Sequence, residues 1–468
     1  MAEQDQTTSC SQCAELEGRI DRLETRLAEM TDKLAAAQKN STTSSKPPSS
    51  DLVKPPKRNL KKGRRKRGAQ PGHPKHERQA FPPEEIDRTQ DYHLPCCPDC
   101  GGEVEPLDQP AQTLQQIELV VKPVEVTEHR SRSCHCGKCD KNFAASIPSE
   151  VQAAGLIGPH LTARLGYLKG ACHCSYSTIQ NYCREVLGVA VSRGQLRKVC
   201  GKLADSLGPA YEELLAALPH EDRVNIDETG HKENGQRMWT WCFRAELFTF
   251  FRIDPSRSSA VLVDTLGLEF DGVLGCDYFS AYRKYMRLNE NVLVQFCLAH
   301  LIRDVRFLIE HPQPKNQAYG KRVLAELRAL FAIIHRRDEF AAEADFRGAL
   351  EDQALEVWSQ ATYRVPTTTA AQNLADRFRN HGREYIQFVT TPGVEPTNNL
   401  AEQAIRFVVL DRRVTQGTRS AAGRQWCERI WTVLATCAQH GQSTLDFLHR
   451  SLQAHFGDKP PPSLRFNT

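Results

Sequence analysis

The sequence predicts a multidomain α+β protein: an N-terminal coiled coil, a cysteine-rich module and a helical module, followed by an α/β domain with a helical insertion. Three observations support this fold class. At 468 residues the chain exceeds what one hydrophobic core holds. Apolar residues recur at helical spacing in three separate regions, and short strand-like runs fill two others. A basic stretch without apolar periodicity separates the first helix from the remainder.

Residues 1–38 are predicted to form a short coiled coil. Six apolar residues alternate at spacings of four and three, which places them on one seam of a helix: Leu16, Ile20, Leu23, Leu27, Met30 and Leu34. About three heptads bring two copies of a chain together when another contact helps. The same pattern also fits a helix that packs on its own protein. We expect self-association as a dimer or a higher oligomer.

Residues 39–89 are predicted to be a linker and basic arm. Eleven Lys or Arg residues and one acid, Glu77, lie between Lys54 and Arg78, although the whole chain has a net charge of only +4. A flexible basic segment is typical of an arm that contacts nucleic-acid phosphates, and a solubilising linker has the same composition. The first interpretation assigns phosphate contacts to four consecutive residues: Arg64, Arg65, Lys66 and Arg67.

Residues 90–148 are predicted to form a zinc-binding module. Seventeen cysteines, in a chain that begins without a signal-peptide core, indicate metal binding before disulfides. Short strand-like runs separate two Cys-x-x-Cys pairs: Cys97 with Cys100, and Cys136 with Cys139. Four thiolates bind Zn²⁺ tetrahedrally and stabilise a module too small for its own core. Cys96 and Cys134 lie close enough in sequence to replace one of these ligands.

Residues 149–220 are predicted to be helical, in three pieces at 156–170, 176–187 and 193–207. Ser175 and Ser192 precede the second and third pieces and are predicted N-caps. Short helices joined by turns are compatible with a helix-turn-helix module and equally with a plain helical spacer.

The α/β domain is predicted in two parts, at 221–312 and 393–440, around a helical insertion at 313–392 and before a C-terminal tail at 441–468. The predicted strands are 223–229, 238–244, 248–253, 272–276 and 292–296, and helices are predicted at 258–266, 279–286 and 298–310. The order β-β-β-α-β-α-β-α is that of an RNase H-like domain. A further capped helix is predicted to begin near Asn398.

Three acids in this domain have the placement that phosphodiester chemistry requires. Asp227 is predicted to close the first strand, Asp277 follows the fourth strand, and Glu402 lies one turn into the late helix. Phosphodiester transfer uses two hard cations about 3.5–4 Å apart, for which carboxylates are suitable ligands. Each acid alone is more often a surface or capping group, so their joint placement carries the prediction.

Five motifs resemble the transposases of the insertion-sequence-66 family. They are Asp-Glu-Thr at 227–229, Asp-Tyr-Phe-Ser-Ala-Tyr at 277–282, Cys-Leu-Ala-His-Leu at 297–301, Glu-Pro-Thr-Asn-Asn-Leu-Ala-Glu at 395–402 and the basic Arg-Gly-Ala-Gln-Pro-Gly-His-Pro at 67–74. The cysteine pairs are similar to that family's zinc module. The chain departs from the family at Tyr278, where the family has Gly, and at Gln403, where it has Arg.

The resemblance implies a DDE transposase that uses Mg²⁺ or Mn²⁺, held by Asp227, Asp277 and Glu402. It cleaves insertion-sequence ends and joins the freed 3′-hydroxyl to target DNA, with double-stranded DNA as its partner and two small accessory proteins of the same element as further partners. The alternatives are a catalytically weakened, transposase-derived DNA-binding protein, for which Tyr278 and Gln403 are the argument, and another RNase H-like nuclease such as a junction resolvase.

Four basic residues are candidate phosphate contacts beside the carboxylates. His300 is interpreted as a phosphate-facing catalytic group rather than as half of a zinc site with Cys297, since no partner pair lies near in sequence. Arg406, Arg412 and Arg413 follow Glu402 and are candidate DNA-binding residues, although arginines are common on any surface.

The first residues and the hydropathy of the chain predict a location. No stretch of about 18 apolar residues is available to span a membrane, and polar residues follow Met1. We expect a cytoplasmic, nucleoid-associated bacterial protein with no membrane partner.

Overall fold

A computed structural model describes residues 11–40, 80–90, 123–136 and 140–466, with positions 43, 96, 99, 101, 115, 116 and 138 between them. The chain divides into two compact units, residues 57–128 and residues 1–56 with 129–468. Several predicted site residues lie outside the described residues: Arg64, Arg65, Lys66, Arg67, Cys97, Cys100 and Cys139. Of the fourth predicted zinc ligand, Cys136, the backbone is described and the side chain is not.

The first helix, α1 (Ser11–Ala37), presents its apolar seam to solvent. All six seam residues, from Leu16 to Leu34, are more than half exposed. Near the C-terminal end of α1, Asp32 accepts a hydrogen bond of 3.1 Å from Gln313 and Ala35 is buried. Among the described residues, no apolar surface therefore packs over the seam.

A short hairpin and a group of helices precede the main sheet. The hairpin pairs β1 (Ser133–Cys136) with β2 (Lys141–Ala144) in antiparallel register. The helices that follow are α2 (Ser149–Ala154), α3 (Pro159–Gly170), α4 (Tyr176–Glu185), α5 (Arg193–Ser206) and α6 (Gly208–Ala217).

The predicted N-caps of α4 and α5 are confirmed. Ser175 accepts a hydrogen bond from the N–H of Thr178, and Ser192 accepts one from the N–H of Gln195. Residues 186–192 connect the two helices, which is a longer connection than the three or four residues of a helix-turn-helix. Helices α3 and α5 approach closely because Gly166 has no Cβ, and an added Cβ would overlap the Leu203 side chain.

The main sheet is mixed and five-stranded, in the order β5-β4-β3-β6-β7. Its strands are β3 (Arg223–Glu233), β4 (Gln236–Ala245), β5 (Thr249–Asp254), β6 (Val273–Cys276) and β7 (Leu293–Phe296). The first three strands are antiparallel, and β6 and β7 extend β3 in parallel. Helices α7 (Ser259–Leu266), α8 (Ser280–Leu288) and α9 (Leu298–Ile309) follow β5, β6 and β7. The predicted order of strands and helices in this region is confirmed.

The predicted end of the first strand, at residues 227–229, is wrong. The strand continues to Glu233 and pairs with β4 along its whole length. A two-residue turn of Asn234 and Gly235, both with positive φ, joins the strands. This Asn-Gly pair is a strong hairpin signal, since a primed turn requires positive φ at both positions. Asp227 therefore lies in the middle of a long strand, and the pairing of β3 with β4 continues before and after it along the chain.

Residues 313–392 contain no strand and form α10 (Pro314–His335), α11 (Glu343–Thr362), α12 (Thr369–His381) and α13 (Gln387–Thr390), as predicted. Three helices complete the unit: α14 (Asn399–Thr415), α15 (Ala421–Gln439) and α16 (Thr444–Phe456). The segment predicted as a tail therefore contains a helix, and its Phe447, Leu448 and Leu452 are fully buried.

Helix α15 covers the edge strand β5, which would otherwise leave backbone donors unpaired. Its Thr432 and Thr436 accept hydrogen bonds of 3.0 and 3.2 Å from the N–H groups of Phe251 and Thr249. Within the part of the chain that the structure describes, no helix has the length and apolar character to cross a membrane.

Candidate functional site

Asp227 and Asp277 lie at the same level on neighbouring parallel strands. Asn225 of β3 pairs with Gly275 of β6, and each aspartate comes two residues later. Neighbouring strands lie about 4.8 Å apart, so the two side chains begin from adjacent backbone positions. Glu402 enters from a different element, the first turn of α14, which packs on β3.

The three carboxylates interact electrostatically. Burial raises the pKa of Asp227 well above its usual value, and the negative charges of Glu228, Asp277 and Glu402 raise it further. Burial also raises the pKa of Asp277, and the negative charges of Asp304 and Glu402 raise it further. A hydrogen bond of 2.9 Å from the N–H of Phe279 lowers this pKa. The site is thus a group of partly buried acids that repel one another.

An ion pair between Glu228 and Arg257, which the sequence did not predict, lies beside these acids. The Glu228 side chain is 2% exposed and accepts hydrogen bonds of 2.9 and 2.6 Å from Nε and Nη2 of Arg257, and another from the Tyr282 hydroxyl. The guanidinium of Arg257 lies over the rings of Trp239 and Phe279, at 4.6 and 4.0 Å. Burial and the charge of the neighbouring acid Asp277 raise the pKa of Glu228 to about 7, although Arg257 opposes them.

Three potential ligands meet at Glu402. Cys297, His300 and Glu402 each offer one ligand atom, and these three atoms lie within 4.8 Å of one another. Among the described residues this is the one such group of three. The Oε1 atom of Glu402 lies 3.4 Å from Nδ1 of His300 and 3.3 Å from Nη2 of Arg303. No partner pair for Cys297 and His300 lies near in sequence, but the fold adds one further potential ligand, Glu402. Folding brings Glu402 to them across about a hundred residues of sequence.

The burial of His300 and its neighbour Arg303 favour the neutral form of its ring. It is 9% exposed, and burial together with the positive charge of Arg303 lowers its pKa to about 3. Burial raises the pKa of the Cys297 thiol, whose sulfur accepts a hydrogen bond of 3.2 Å from the N–H of Asn398. A protonated thiol already bound by the backbone is a poor ligand, and Arg303 offsets the charge of Glu402. These contacts favour a structural role for Cys297.

The three predicted arginines of α14 differ in their surroundings. Arg412 is partly buried, and its Nη1 donates a hydrogen bond of 3.1 Å to Oγ1 of Thr229, two residues after Asp227. Arg406 and Arg413 are exposed. Arg412 therefore ties α14 to β3, while the other two present their charge to solvent.

Tyr278 and Gln403 are the two departures from the family pattern, and neither places its side chain among the three carboxylates. The Tyr278 ring packs against Phe296, Tyr385 and His381, and the guanidinium groups of Arg283 and Arg377 lie 4.4 and 4.6 Å from its centre.

Three of the five residues that contact the Tyr278 ring belong to the helical insertion: Arg377, His381 and Tyr385. The backbone of Tyr278 also has no positive φ that would require glycine. Gln403 is exposed on the outer face of α14.

The donor set fits hard divalent cations. Carboxylate oxygens are the ligands that Mg²⁺ and Mn²⁺ prefer, and the mutual repulsion of Asp227, Asp277 and Glu402 is what a bound cation relieves. The three are not all within 4.8 Å of one another. A single Mg²⁺ with ligands at about 2.1 Å needs a tighter group, whereas a pair of ions does not.

Comparison with known proteins supports one family. The family model described as "Transposase IS66 family" matches residues 154–425, which is more than half of the chain. A second model, described as a family of unknown function, matches residues 3–79.

Two relatives come from Sinorhizobium fredii. The uncharacterized protein y4qI is 25% identical over 336 residues, which cover 66% of this chain and 61% of the relative. The uncharacterized protein y4jD is 23% identical over 346 residues, which cover 68% of this chain and 66% of the relative. In both cases the match spans slightly less than two thirds of the relative's own length.

Proposed function

The chain belongs to the IS66 transposase family, and from that membership we propose that it is a DDE transposase with an RNase H-like catalytic domain. It would cleave insertion-sequence ends and join the resulting 3′-hydroxyl groups to target DNA. The observation that carries the proposal is the convergence of three elements far apart in sequence. Asp227 and Asp277 each come two residues after a paired position of β3 and β6, and the helix that contains Glu402 packs on β3.

In this proposal Asp227, Asp277 and Glu402 hold two divalent cations, Mg²⁺ or Mn²⁺. When bound, such a pair activates the attacking oxygen and stabilises the leaving oxygen of the phosphodiester. The long, paired strand β3 fixes Asp227, and the turn after β6 fixes Asp277 through the Phe279 N–H. This rigidity matters because the attacking and leaving oxygens must be held in line.

The basic groups around the carboxylates would bind and orient the DNA. His300 is proposed to face the phosphate beside the carboxylates, where its neutral ring adds no charge to compete with a cation. Arg406, Arg412 and Arg413 are proposed to contact phosphates along α14. Such contacts fix the position of the duplex and carry no sequence information.

Two further proposals rest on the sequence alone. We propose that Cys97, Cys100, Cys136 and Cys139 bind one Zn²⁺, and that the arm containing Arg64, Arg65, Lys66 and Arg67 binds duplex DNA without sequence preference. The two accessory proteins of the element remain proposed partners.

The most informative experiment is a cleavage and strand-transfer assay with DNA that carries the element's ends, in Mg²⁺. An active transposase yields joined products. A weakened, transposase-derived protein binds the ends and yields none, and a junction-resolving nuclease cuts branched DNA without joining. Tyr278 and Gln403 are the grounds for a weakened enzyme, and their placement away from the carboxylates supports the active one.

We propose that the exposed seam of α1 pairs with the seam of a second copy. Leu27→Asp should convert a dimer to a monomer in sedimentation-velocity experiments, because it places a charge where the two apolar seams meet. Ala28→Asp is the matched control, because it adds the same charge at an exposed position outside the seam, about 100° around the helix from Leu27. A wild-type monomer, or a dimer that survives Leu27→Asp, would refute the pairing.

A further inference from the structure

Asn398 immediately precedes α14 and does not behave as an ordinary N-cap. At this position an asparagine side chain usually accepts a hydrogen bond from the first turn of its own helix. Here the side chain makes no such bond. Its Nδ2 instead donates a hydrogen bond of 2.7 Å to the carbonyl oxygen of Ile226, the residue before Asp227. The expected side-chain cap is therefore absent, and the amide joins α14 to β3.

The backbone of Asn398 makes two further connections. Its carbonyl oxygen accepts a hydrogen bond of 3.1 Å from the N–H of Glu402, and its N–H donates one of 3.2 Å to Sγ of Cys297. The N–H of Cys297 in turn donates a hydrogen bond of 2.8 Å to the carbonyl oxygen of Cys276, the residue before Asp277. One residue is thus bonded, directly or through one intermediate, to the backbone beside all three carboxylates.

The burial of Asn398 argues against a role in stability alone. The residue is 1% exposed, and its Oδ1 has no hydrogen-bond partner among the residues that the structure describes. A buried, unpaired polar atom is unfavourable, and an apolar side chain of similar size removes that cost. An asparagine here therefore indicates that the bond to Ile226 is required for something other than packing.

We infer that Asn398 is a positioning residue that sets the separation of Glu402 from Asp227 and Asp277. This inference rests on the proposed function and deepens it. The amide bond fixes the first turn of α14 against β3, and the Cys297 contact fixes the same turn against the end of β6. Metal affinity depends steeply on such supporting hydrogen bonds, whose loss typically weakens binding about 10–100-fold.

The test compares Asn398→Leu with wild type in the full-length protein. Asn398→Leu keeps the volume of the side chain and removes the bond to Ile226. The first readout is the Mn²⁺ dissociation constant, measured from the electron paramagnetic resonance signal of the free ion, and the second is the Mn²⁺ concentration at half-maximal strand cleavage. Both should rise about tenfold in Asn398→Leu. The melting temperature without metal should change by no more than a few degrees.

Two control variants isolate the effect. Asn399→Leu changes the neighbouring asparagine, which is exposed, and should bind Mn²⁺ like wild type. Asn398→Ala removes the same bond with a smaller side chain, and it serves as the test if Asn398→Leu does not fold. Unchanged Mn²⁺ affinity in a folded Asn398 variant overturns the inference. A fall in melting temperature with reduced cleavage but unchanged Mn²⁺ affinity also overturns it, because a merely structural role predicts that result.

The proposed function has its own control. Asp227→Asn should lose most Mn²⁺ binding. If Asp227→Asn binds Mn²⁺ as tightly as wild type, the proposed carboxylate site is refuted and the inference about Asn398 with it. If Asp227→Asn loses Mn²⁺ binding while Asn398→Leu and Asn398→Ala do not, only the inference about Asn398 is refuted.

Discussion

Replacement of Asp227, Asp277 or Glu402 by its neutral amide is expected to reduce end cleavage and strand transfer by about 10³-fold or more. In the proposed mechanism each change removes a charged metal ligand, and the bound metals stabilise charge in the transition state. Binding of end-bearing DNA, measured by gel mobility shift in Ca²⁺, should remain near wild type. Ca²⁺ should support DNA binding but not turnover, because its loose coordination does not hold the in-line geometry.

Asp227→Asn should not be less stable than wild type, and this separates lost chemistry from lost folding. The pKa of Asp227 is raised in the folded protein, chiefly by burial, so its ionised form destabilises the fold at pH 7–8. A neutral amide removes that cost, and the melting temperature should equal or exceed that of wild type.

Asp271→Asn, an exposed acid just before β6, is the matched control and should remain active. Strand transfer by Asp277→Asn at the wild-type rate would contradict the assignment.

Arg257→Met is expected to lower the free energy of unfolding by about 2–3 kcal/mol at pH 8. It leaves Glu228, which is 2% exposed, without its cation. Breaking a fully buried pair costs about 3–5 kcal/mol, and the smaller value is expected because Arg257 is itself one third exposed. The measurement is urea unfolding of the two proteins at pH 8 and at pH 5.5.

The sign of the pH dependence follows from the pKa of Glu228. Burial, the first cause, raises it to about 7 in the folded protein, above the usual 4.5. Glu228 therefore takes up a proton below pH 7, and the loss caused by Arg257→Met should be smaller at pH 5.5 than at pH 8. A second change, Glu228→Gln, should recover most of the lost stability at pH 8.

Arg237→Met is the control for the Arg257 prediction, because Arg237 stacks on the same Trp239 ring at 4.6 Å without contacting Glu228. It should cost less than about 1 kcal/mol, as expected for an exposed cation–π contact. Equal losses for the two variants at both pH values would mean that ring stacking, and not the buried ion pair, stabilises this part of the sheet.

The order of strands and helices in the α/β domain was predictable because each element has a local signal. Alternating or continuous apolar runs identify β4, β5, β6 and β7, and the capping serines identify the starts of α4 and α5. The predicted end of β3 was wrong, although a local sequence signal also marks the true end of this strand. The Asn-Gly turn at 234–235 marks the hairpin and extends the strand six residues beyond Asp227.

The contacts that define the site were not predictable, because they join residues far apart in sequence. Glu228 and Arg257 meet across a hairpin and a further strand, and nothing local marks Arg257 as its partner. His300 lies close to Glu402 although the whole helical insertion separates them in sequence. The packing of Tyr278 against that insertion likewise depends on tertiary structure. The sequence suggested the three acids, and only the fold shows which residues surround them.

The most direct test of the central claim is anomalous diffraction from crystals of the protein with Mn²⁺ and DNA that carries an element end. We predict two anomalous peaks about 3.5–4 Å apart, bound between them by the carboxylates of Asp227, Asp277 and Glu402. A single peak held by Cys297 and His300, or a Glu402 side chain that contacts neither ion, would contradict the account.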